Sequence, residues 1–92
     1  MNDTPISERT GLKMTAYDVA LAEVVRLELT KRHRTYQDLA REVGLSTSSL
    51  RERIHGRTAF SLPEFFAIAA AFAMEPQRLL DQAKDRVAHA DN

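Results

Sequence analysis

The side chains best able to form hydrogen bonds are concentrated between Gly44 and Gly56, in the segment GLSTSSLRERIHG. Four hydroxyl-bearing residues come in a row, and an Arg-Glu-Arg triplet follows shortly after them. Hydroxyls donate and accept hydrogen bonds, guanidinium groups only donate, and carboxylates only accept. Leu45, Leu50 and Ile54 are the only members that a core could bury. The segment therefore predicts an exposed hydrogen-bonding surface held in place by a few apolar anchors.

Residue types that would support other chemistry are absent or badly spaced. The chain has no cysteine, which excludes disulfides and thiolate metal sites. His33, His55 and His89 lack the spacing of metal ligands. No serine has a plausible histidine and acid to form a catalytic triad, and there is no glycine-rich phosphate loop. We therefore predict a protein that is not an enzyme and has no cofactor, and no small-molecule ligand is evident.

Length, composition and charge set the class of protein. A chain of 92 residues, 43% of them hydrophobic, is typical of one globular domain with a modest core. No apolar run approaches the roughly 20 residues of a membrane span, and no signal peptide is visible, so we expect a cytoplasmic protein without a membrane partner.

The charge is unevenly distributed along the chain, although the net charge is zero. Residues 26–57 contain eight Lys or Arg against four Asp or Glu, a net charge of +4, whereas residues 1–25 and 58–92 carry −2 each. A basic centre between acidic ends is consistent with an electrostatic footprint for nucleic acid. A solvated surface with chance clustering would show the same pattern, so the charge alone does not decide.

Capping residues predict the helices that position this surface. Thr15, Thr35, Ser46 and Ser61 are suited to N-caps, and Pro76 is suited to a first helical turn. The predicted fold is all-α, a compact bundle with helices at about 16–31, 36–43, 47–55, 62–72 and 76–87. The domain should span residues 15–88. Residues 1–14 are expected to be flexible, apart from a single helical turn that starts at Thr4-Pro5 and ends at Gly11.

The helical spacing of apolar residues predicts the core. Its expected members are Leu21, Val24, Val25, Leu29, Leu39, Ala40, Val43, Leu45, Leu50, Ile54, Phe60, Phe65, Phe66, Ile68, Ala69, Phe72 and Leu80. Arg53 falls near the inner edge of the third helix, so its aliphatic stem is expected to pack while its charge escapes to solvent.

The stretch from Thr35 to Pro76, TYQDLAREVGLSTSSLRERIHGRTAFSLPEFFAIAAAFAMEP, resembles the lambda-repressor-like, Cro/XRE-type helix-turn-helix domains of phage and bacterial regulators. The matching features are Thr35, Leu39-Ala40, the turn Gly44-Leu45-Ser46, Leu50, Gly56, and Ser61–Glu64 before an apolar fourth helix. The resemblance covers about residues 16–85. The combined pattern is specific, whereas Gly-Leu-Ser alone would be common by chance.

The resemblance implies five helices, with the third lying in the DNA major groove. The positions expected to contact bases are Thr47, Ser48, Arg51 and Glu52. The alternative for the run 46–49 is an N-cap with its first turn, and for Arg51 and Glu52 it is a pair of solvated helix charges. The resemblance places phosphate contacts at Thr35, Tyr36, Ser46 and His55. Phosphate contacts are also expected from Arg34, in the basic run Lys31–Arg34, and from Arg57. For that basic run, the alternative is a solvated helix end whose cations suit the helix dipole. Three residues depart from the family pattern. Tyr36 replaces a frequent Gln, Ala73 replaces a common Gly where the fourth helix closes, and Arg53 replaces an apolar residue.

The function that the resemblance implies is a sequence-specific regulator that binds double-stranded DNA, a repressor of phage or mobile-element type that acts by occupying its operator. An antitoxin-like or adaptor protein, which uses the same fold to bind a protein partner, is the alternative. Since one such domain contacts only a half-site, a weak homodimer through the fifth helix is expected, with contacts from Leu79, Ala83 and Val87. Alternatively, Leu79 and Ala83 complete the core and Val87 frays with the tail.

Overall fold

The computed structural model describes residues 14–90, and in that range the chain forms five α-helices and no strand. The helices are α1 (Ala16–Lys31), α2 (Tyr36–Val43), α3 (Thr47–Ile54), α4 (Leu62–Ala71) and α5 (Pro76–Ala90). α5 packs along α1 and against α4, while α2 contacts α3 and α4, and α3 reaches α1. This confirms the predicted all-α bundle. None of the helices within 14–90 is long and apolar enough to cross a membrane.

The expected flexible segment and its single turn lie outside the described residues, apart from Met14. The predicted bounds of α1 and α2 agree with the structure, and α3 and α4 each end one residue earlier than expected. α5 continues to Ala90, three residues beyond its expected end.

Side-chain caps begin four of the helices, as the sequence predicted. Reciprocal capping boxes start α1, α2 and α4, formed by the pairs Thr15–Asp18, Thr35–Asp38 and Ser61–Glu64. At the start of α3, the Ser46 hydroxyl accepts a hydrogen bond from the Ser49 N–H at 3.0 Å. Each such cap contributes about 1 kcal/mol of stability, because it satisfies backbone N–H groups that the helix itself leaves unpaired.

Residues with positive φ close the first four helices, and Gly56, with a φ of +78°, does so after α3. Gly44 has a φ of +78° at the end of α2, where the absence of a Cβ makes this conformation accessible. Ala73 accepts a φ of +54° after α4, and the next residue, Met74, donates its N–H to the Ala69 carbonyl at 2.9 Å. The departure from Gly at this position is therefore absorbed as backbone strain, and the turn is kept. His33 adopts a similar φ of +55° after α1.

The core contains most of the residues that the sequence predicted. The buried members are Val24, Val25, Leu29, Leu39, Ala40, Leu50, Ile54, Phe65, Ile68, Ala69 and Phe72. Those half-buried against this core are Leu21, Val43, Leu45 and Phe60.

Two core predictions were wrong. Phe66 is 50% exposed and Leu80 is 41% exposed. Each follows a fully or nearly fully buried residue, Phe65 or Leu79. Successive helical residues are about 100° apart, so burial of one turns the next away from the core.

The expected dimer surface on α5 is also corrected. Leu79 is fully buried and Ala83 is 3% exposed, and both belong to the core of the protomer. They complete the bundle between α5 and its neighbours and cannot face a second copy. Val87 is half-buried and packs against the same core. The alternative that Leu79 and Ala83 finish the core agrees with the structure.

Glu28 is a buried carboxylate near the end of α1. Its carboxylate accepts a hydrogen bond from Arg32 Nε at 2.9 Å and lies 3.5 Å from Lys31 Nζ. Burial alone would raise the pKa of Glu28, but the hydrogen bond from Arg32 and the charge of Lys31 hold the pKa below its ordinary value. The Arg32 guanidinium also lies 4.9 Å from the centre of the Phe72 ring. These contacts tie the end of α1 to the end of α4.

Candidate nucleic-acid interface

The polar segment singled out in the sequence forms the outer face of α3. Leu50 and Ile54 are buried and pin the helix to the bundle. Because they are four residues apart, they occupy one side of the helix and turn the other side outward. The side chains on that outer side are Ser48, Arg51 and His55, which are exposed, and Thr47 and Glu52, which are half-exposed.

The turn between α2 and α3 directs this face. It contains only Gly44, Leu45 and Ser46, and Leu45 is half-buried against the core. The Leu45 N–H donates to the Ala40 carbonyl at 2.9 Å, which closes α2. A three-residue connection of this kind holds two helices at a steep angle, as in a helix-turn-helix.

The N-termini of α2 and α3 present hydroxyl groups that are only partly used. The Thr35 hydroxyl accepts from the Asp38 N–H at 3.0 Å, and the Ser46 hydroxyl accepts from the Ser49 N–H. A hydroxyl that accepts a bond in a cap still has its own O–H to donate. Helix N-termini also favour anions, because their backbone N–H groups point outward. Both caps can therefore donate to a phosphate without giving up their structural role.

An aromatic ring connects the start of α2 to the outer face of α3. The Arg51 guanidinium lies 5.4 Å from the centre of the Tyr36 ring, within the range of a cation–π contact. The His55 ring lies edge-on to the same phenol, with ring centroids 6.3 Å apart. Tyr36 is half-buried and packs against the core. Three of the predicted contact residues are thus brought into one cluster.

Ion pairs occupy the neighbouring arginines. Arg34 pairs with Glu42 and also donates to the Ala71 carbonyl at 3.4 Å, so its side chain is directed toward α4. Arg57 Nη1 lies 2.9 Å from Glu52 Oε2, which joins a predicted phosphate contact to a predicted base contact. Among residues 14–90, Arg51 has no carboxylate partner of this kind. Its contact with the Tyr36 ring leaves the cation unpaired.

Arg53 differs from its prediction, because its charge does not escape to solvent. Its Nε and Nη2 atoms donate to the two carboxylate oxygens of Glu64, at 2.8 and 3.1 Å. Its Nη1 atom donates to the Ser49 carbonyl at 3.0 Å. The fork geometry of a guanidinium matches a carboxylate in this way, which explains an arginine where an apolar residue is common. No sequence pattern indicated this pair, since its members are eleven positions apart and a loop lies between them.

Glu64 is therefore shared between the cap of α4 and the orientation of α3. Burial alone would raise the pKa of Glu64, but the hydrogen bonds from Arg53 and from the Ser61 N–H hold the pKa below its ordinary value. The two side chains are largely shielded, with 20% and 16% exposure for Arg53 and Glu64. This pair fixes the outer face of α3 relative to α4.

Comparisons with known proteins agree with this architecture. The model of a helix-turn-helix family, HTH_3, matches residues 25–79. The clp gene regulator ClgR from Corynebacterium glutamicum has a similar structure, with a TM-score of 0.78 and 20% identity over 86% of this chain and 84% of that one. The restriction-modification controller protein C.AhdI from Aeromonas hydrophila has a TM-score of 0.65 and 26% identity over 71% of this chain and 98% of that one.

Among curated protein sequences, none matches this chain. The family match nevertheless spans more than half of the 92 residues and includes α2, the turn and α3. The two similar structures each match most of this chain, and their names describe a gene regulator and a controller protein. The chain belongs to the Cro/C1-type helix-turn-helix family.

Proposed function

We propose that this protein binds double-stranded DNA in a sequence-specific way and regulates transcription. The observation that carries the proposal is the outer face of α3, which is polar along its length and rests on the buried anchors Leu50 and Ile54. An α-helix fits the major groove, where base edges offer hydrogen-bonding groups that differ between base pairs. Membership of the helix-turn-helix family supports a DNA-binding regulator and not an enzyme.

Four side chains on this face are proposed to contact bases. Arg51 offers two parallel donors to guanine O6 and N7, and Glu52 accepts from cytosine N4. Thr47 and Ser48 are short, so the first turn of α3 can approach base edges closely. Glu52 must first exchange its pair with Arg57, whereas Arg51 has no carboxylate partner within residues 14–90 to give up. Arg51 is therefore the strongest candidate for direct recognition of a base.

Phosphate contacts are proposed from residues around this face. They are Arg34, Thr35, Tyr36, Ser46, His55 and Arg57. Arg34 and Arg57 each have an internal carboxylate partner, so their contribution on DNA is reduced by the loss of that pair. The hydroxyls of Thr35 and Ser46 give up no internal hydrogen bond when they bind phosphate, because each accepts a bond in its cap and still has its O–H to donate.

We propose that the protein represses transcription by occupying its operator. It would belong to a phage or mobile element and act on DNA in the cytoplasm. The names of the two similar structures, a gene regulator and a restriction-modification controller, support control of gene expression. Two copies on a near-palindrome, about one helical turn apart, would supply the specificity that one half-site lacks. Val87 is the one residue of the expected α5 contact that is still partly accessible.

An adaptor that binds a protein partner is the second candidate function. Leu62 and Phe66 favour it, because they are 64% and 50% exposed and lie one turn apart on α4. Exposed apolar side chains that lie next to each other on a surface are typical of protein contact sites. The two candidates differ in their response to salt, since only phosphate binding releases counterions from DNA.

Titration with random-sequence duplex DNA at two salt concentrations tests the proposal. Affinity that falls steeply as salt rises supports DNA binding, whereas no binding at either salt concentration contradicts it. Selection from a random duplex pool then defines the preferred site. Arg51→Ala should remove the preference at one base pair, a loss of about 1–3 kcal/mol for a bidentate contact. Arg34→Ala should weaken all sequences alike.

Lys84→Ala is the matched control, because it removes one positive charge from α5, which packs on α1 and α4 and away from the α3 face. It should leave both the affinity and the preference unchanged. Identical behaviour of the Arg51 and Lys84 variants on all sequences would contradict the assignment of α3 as the recognition helix.

A further inference from the structure

We propose that Tyr36 is a positioning residue for Arg51, and that the stack of the guanidinium on the phenol ring sets the base preference of α3. This inference rests on the proposed DNA-binding function and assigns Tyr36 a role beyond a phosphate contact. The observation behind it is the cluster in which the Tyr36 ring lies against Arg51 and His55 together.

The cluster has the geometry of a support. Arg51 and His55 are four residues apart on α3, so they lie one above the other on the same side of the helix. The ring of Tyr36 reaches both, at 5.4 Å from the Arg51 guanidinium and with its centroid 6.3 Å from that of His55. Tyr36 itself is half-buried and packs against the core, which restrains the position of its ring.

The chemistry of the stack suits a base-contacting arginine. A guanidinium carries its five N–H donors around its edge, in the plane of the group. A carboxylate partner would occupy those donors, as Glu64 does for Arg53. An aromatic face attracts the cation through its π-electrons and leaves the edge free. Tyr36 therefore restrains Arg51 before DNA arrives without competing with the base for its hydrogen bonds.

A preorganised side chain loses less conformational entropy on binding. This benefit applies to the base pair that Arg51 contacts and not to the rest of the site. Loss of the ring should thus lower discrimination at one base pair, whereas loss of a phosphate contact would lower affinity for every sequence equally. The two roles of Tyr36, ring and hydroxyl, can be separated by substitution.

The experiment uses the full chain with Tyr36→Phe and Tyr36→Leu, and duplexes that differ only at the base pair identified by Arg51→Ala. Tyr36→Leu should reduce discrimination at that base pair by about three- to tenfold, the range expected for a cation–π contact that is partly exposed, and leave other base pairs unchanged. Tyr36→Phe should keep the discrimination within about twofold, because it keeps the ring. Its affinity should fall alike for all sequences if the hydroxyl contacts a phosphate.

A measurement without DNA checks the stack itself. The Arg51 Hδ protons should show an upfield ring-current shift in the NMR spectrum of the free protein and of Tyr36→Phe. That shift should be absent in Tyr36→Leu, whose fold is verified by the unchanged spectrum of core residues. An unshifted Arg51 in the wild-type protein would overturn the proposal.

The DNA results distinguish the possible failures. If the wild-type protein selects a sequence and Tyr36→Leu retains full discrimination at the Arg51 base pair, the positioning role is wrong and the proposed function stands. A uniform loss of affinity in Tyr36→Leu, with discrimination intact, would likewise leave Tyr36 with a phosphate contact alone. If the wild-type protein selects no sequence, both the proposed function and this inference are wrong.

Discussion

Replacement of Ala73 by glycine should stabilise the protein, although it removes a side-chain atom and adds no contact. Ala73 has a φ of +54° in the turn between α4 and α5. A residue with a Cβ pays about 1–2 kcal/mol to adopt the left-handed conformation. Its methyl group is exposed, so little burial is lost when it is removed. In the folded state, the substitution therefore acts mainly by relieving the backbone strain at residue 73.

The unfolded state opposes part of this gain. Glycine loses more conformational entropy on folding than alanine does, by about 0.5–1 kcal/mol. The difference leaves a net increase of about 0.5–1 kcal/mol in the free energy of unfolding for Ala73→Gly. For a domain of this size, that corresponds to an increase of about 2–8 °C in Tm. Urea denaturation followed by circular dichroism at 222 nm measures the change, and the m-value should stay constant.

Two further variants make this test decisive. Gly44→Ala should show the opposite effect with a similar magnitude, because Gly44 has a φ of +78° and a Cβ built there meets no atom within 4 Å. Ala70→Gly makes the same side-chain deletion in an exposed helical residue and should destabilise by up to about 1 kcal/mol. If Ala73→Gly destabilises the protein as Ala70→Gly does, the turn does not carry the inferred strain.

Three other predictions concern the core, the acid limit of stability and the fifth helix. Leu50→Ala should lower the free energy of unfolding by about 2–5 kcal/mol, because it leaves a cavity under α3, whereas Thr47→Ala should leave the fold intact. If Thr47→Ala melts at the lower temperature of the two, the buried side of α3 is assigned wrongly. The stabilisation by the ionised Glu64 should be complete above its ordinary pKa of 4.5 and be lost as the pH falls through the lower pKa of the folded state. Glu64→Gln should therefore weaken the dependence of the free energy of unfolding on pH on the acid side. If that dependence is the same in variant and wild type, the pairing with Arg53 is refuted. Leu79→Ala should lower the free energy of unfolding by about 2–5 kcal/mol, as expected for truncation of a core residue. If the variant instead keeps its melting temperature but no longer associates on DNA in sedimentation, Leu79 is a dimer contact and not a core residue.

The helices and their boundaries were largely predictable from the sequence because their signals are local. A cap such as Ser61–Glu64 involves residues three apart, and a residue with positive φ such as Gly44 acts on its own turn. The spacing of Leu50 and Ile54 likewise identifies the buried side of α3 without knowledge of its neighbours. Five helices follow from such signals, and the short turn between α2 and α3 restricts how they can pack.

The sequence did not determine which member of an apolar pair faces inward, because that depends on how one helix is rotated against another. Phe65 and Phe66 are both large and apolar, yet only the first is buried. Leu79 and Leu80 show the same division. Rotation of a helix by about 100° exchanges the positions of two successive side chains. For α5, its packing on α1 and α4 decides that Leu79 is buried and Leu80 is exposed.

Long-range side-chain partners were also decided by tertiary structure alone. The Arg53–Glu64 pair joins α3 to α4, and the Tyr36 ring supports Arg51 across the turn. The polar outer face of α3 follows from composition and helical spacing alone. Which of its arginines is bound by a carboxylate and which is left unpaired depends on how separate helices are brought together, and no local pattern in the sequence records that distance.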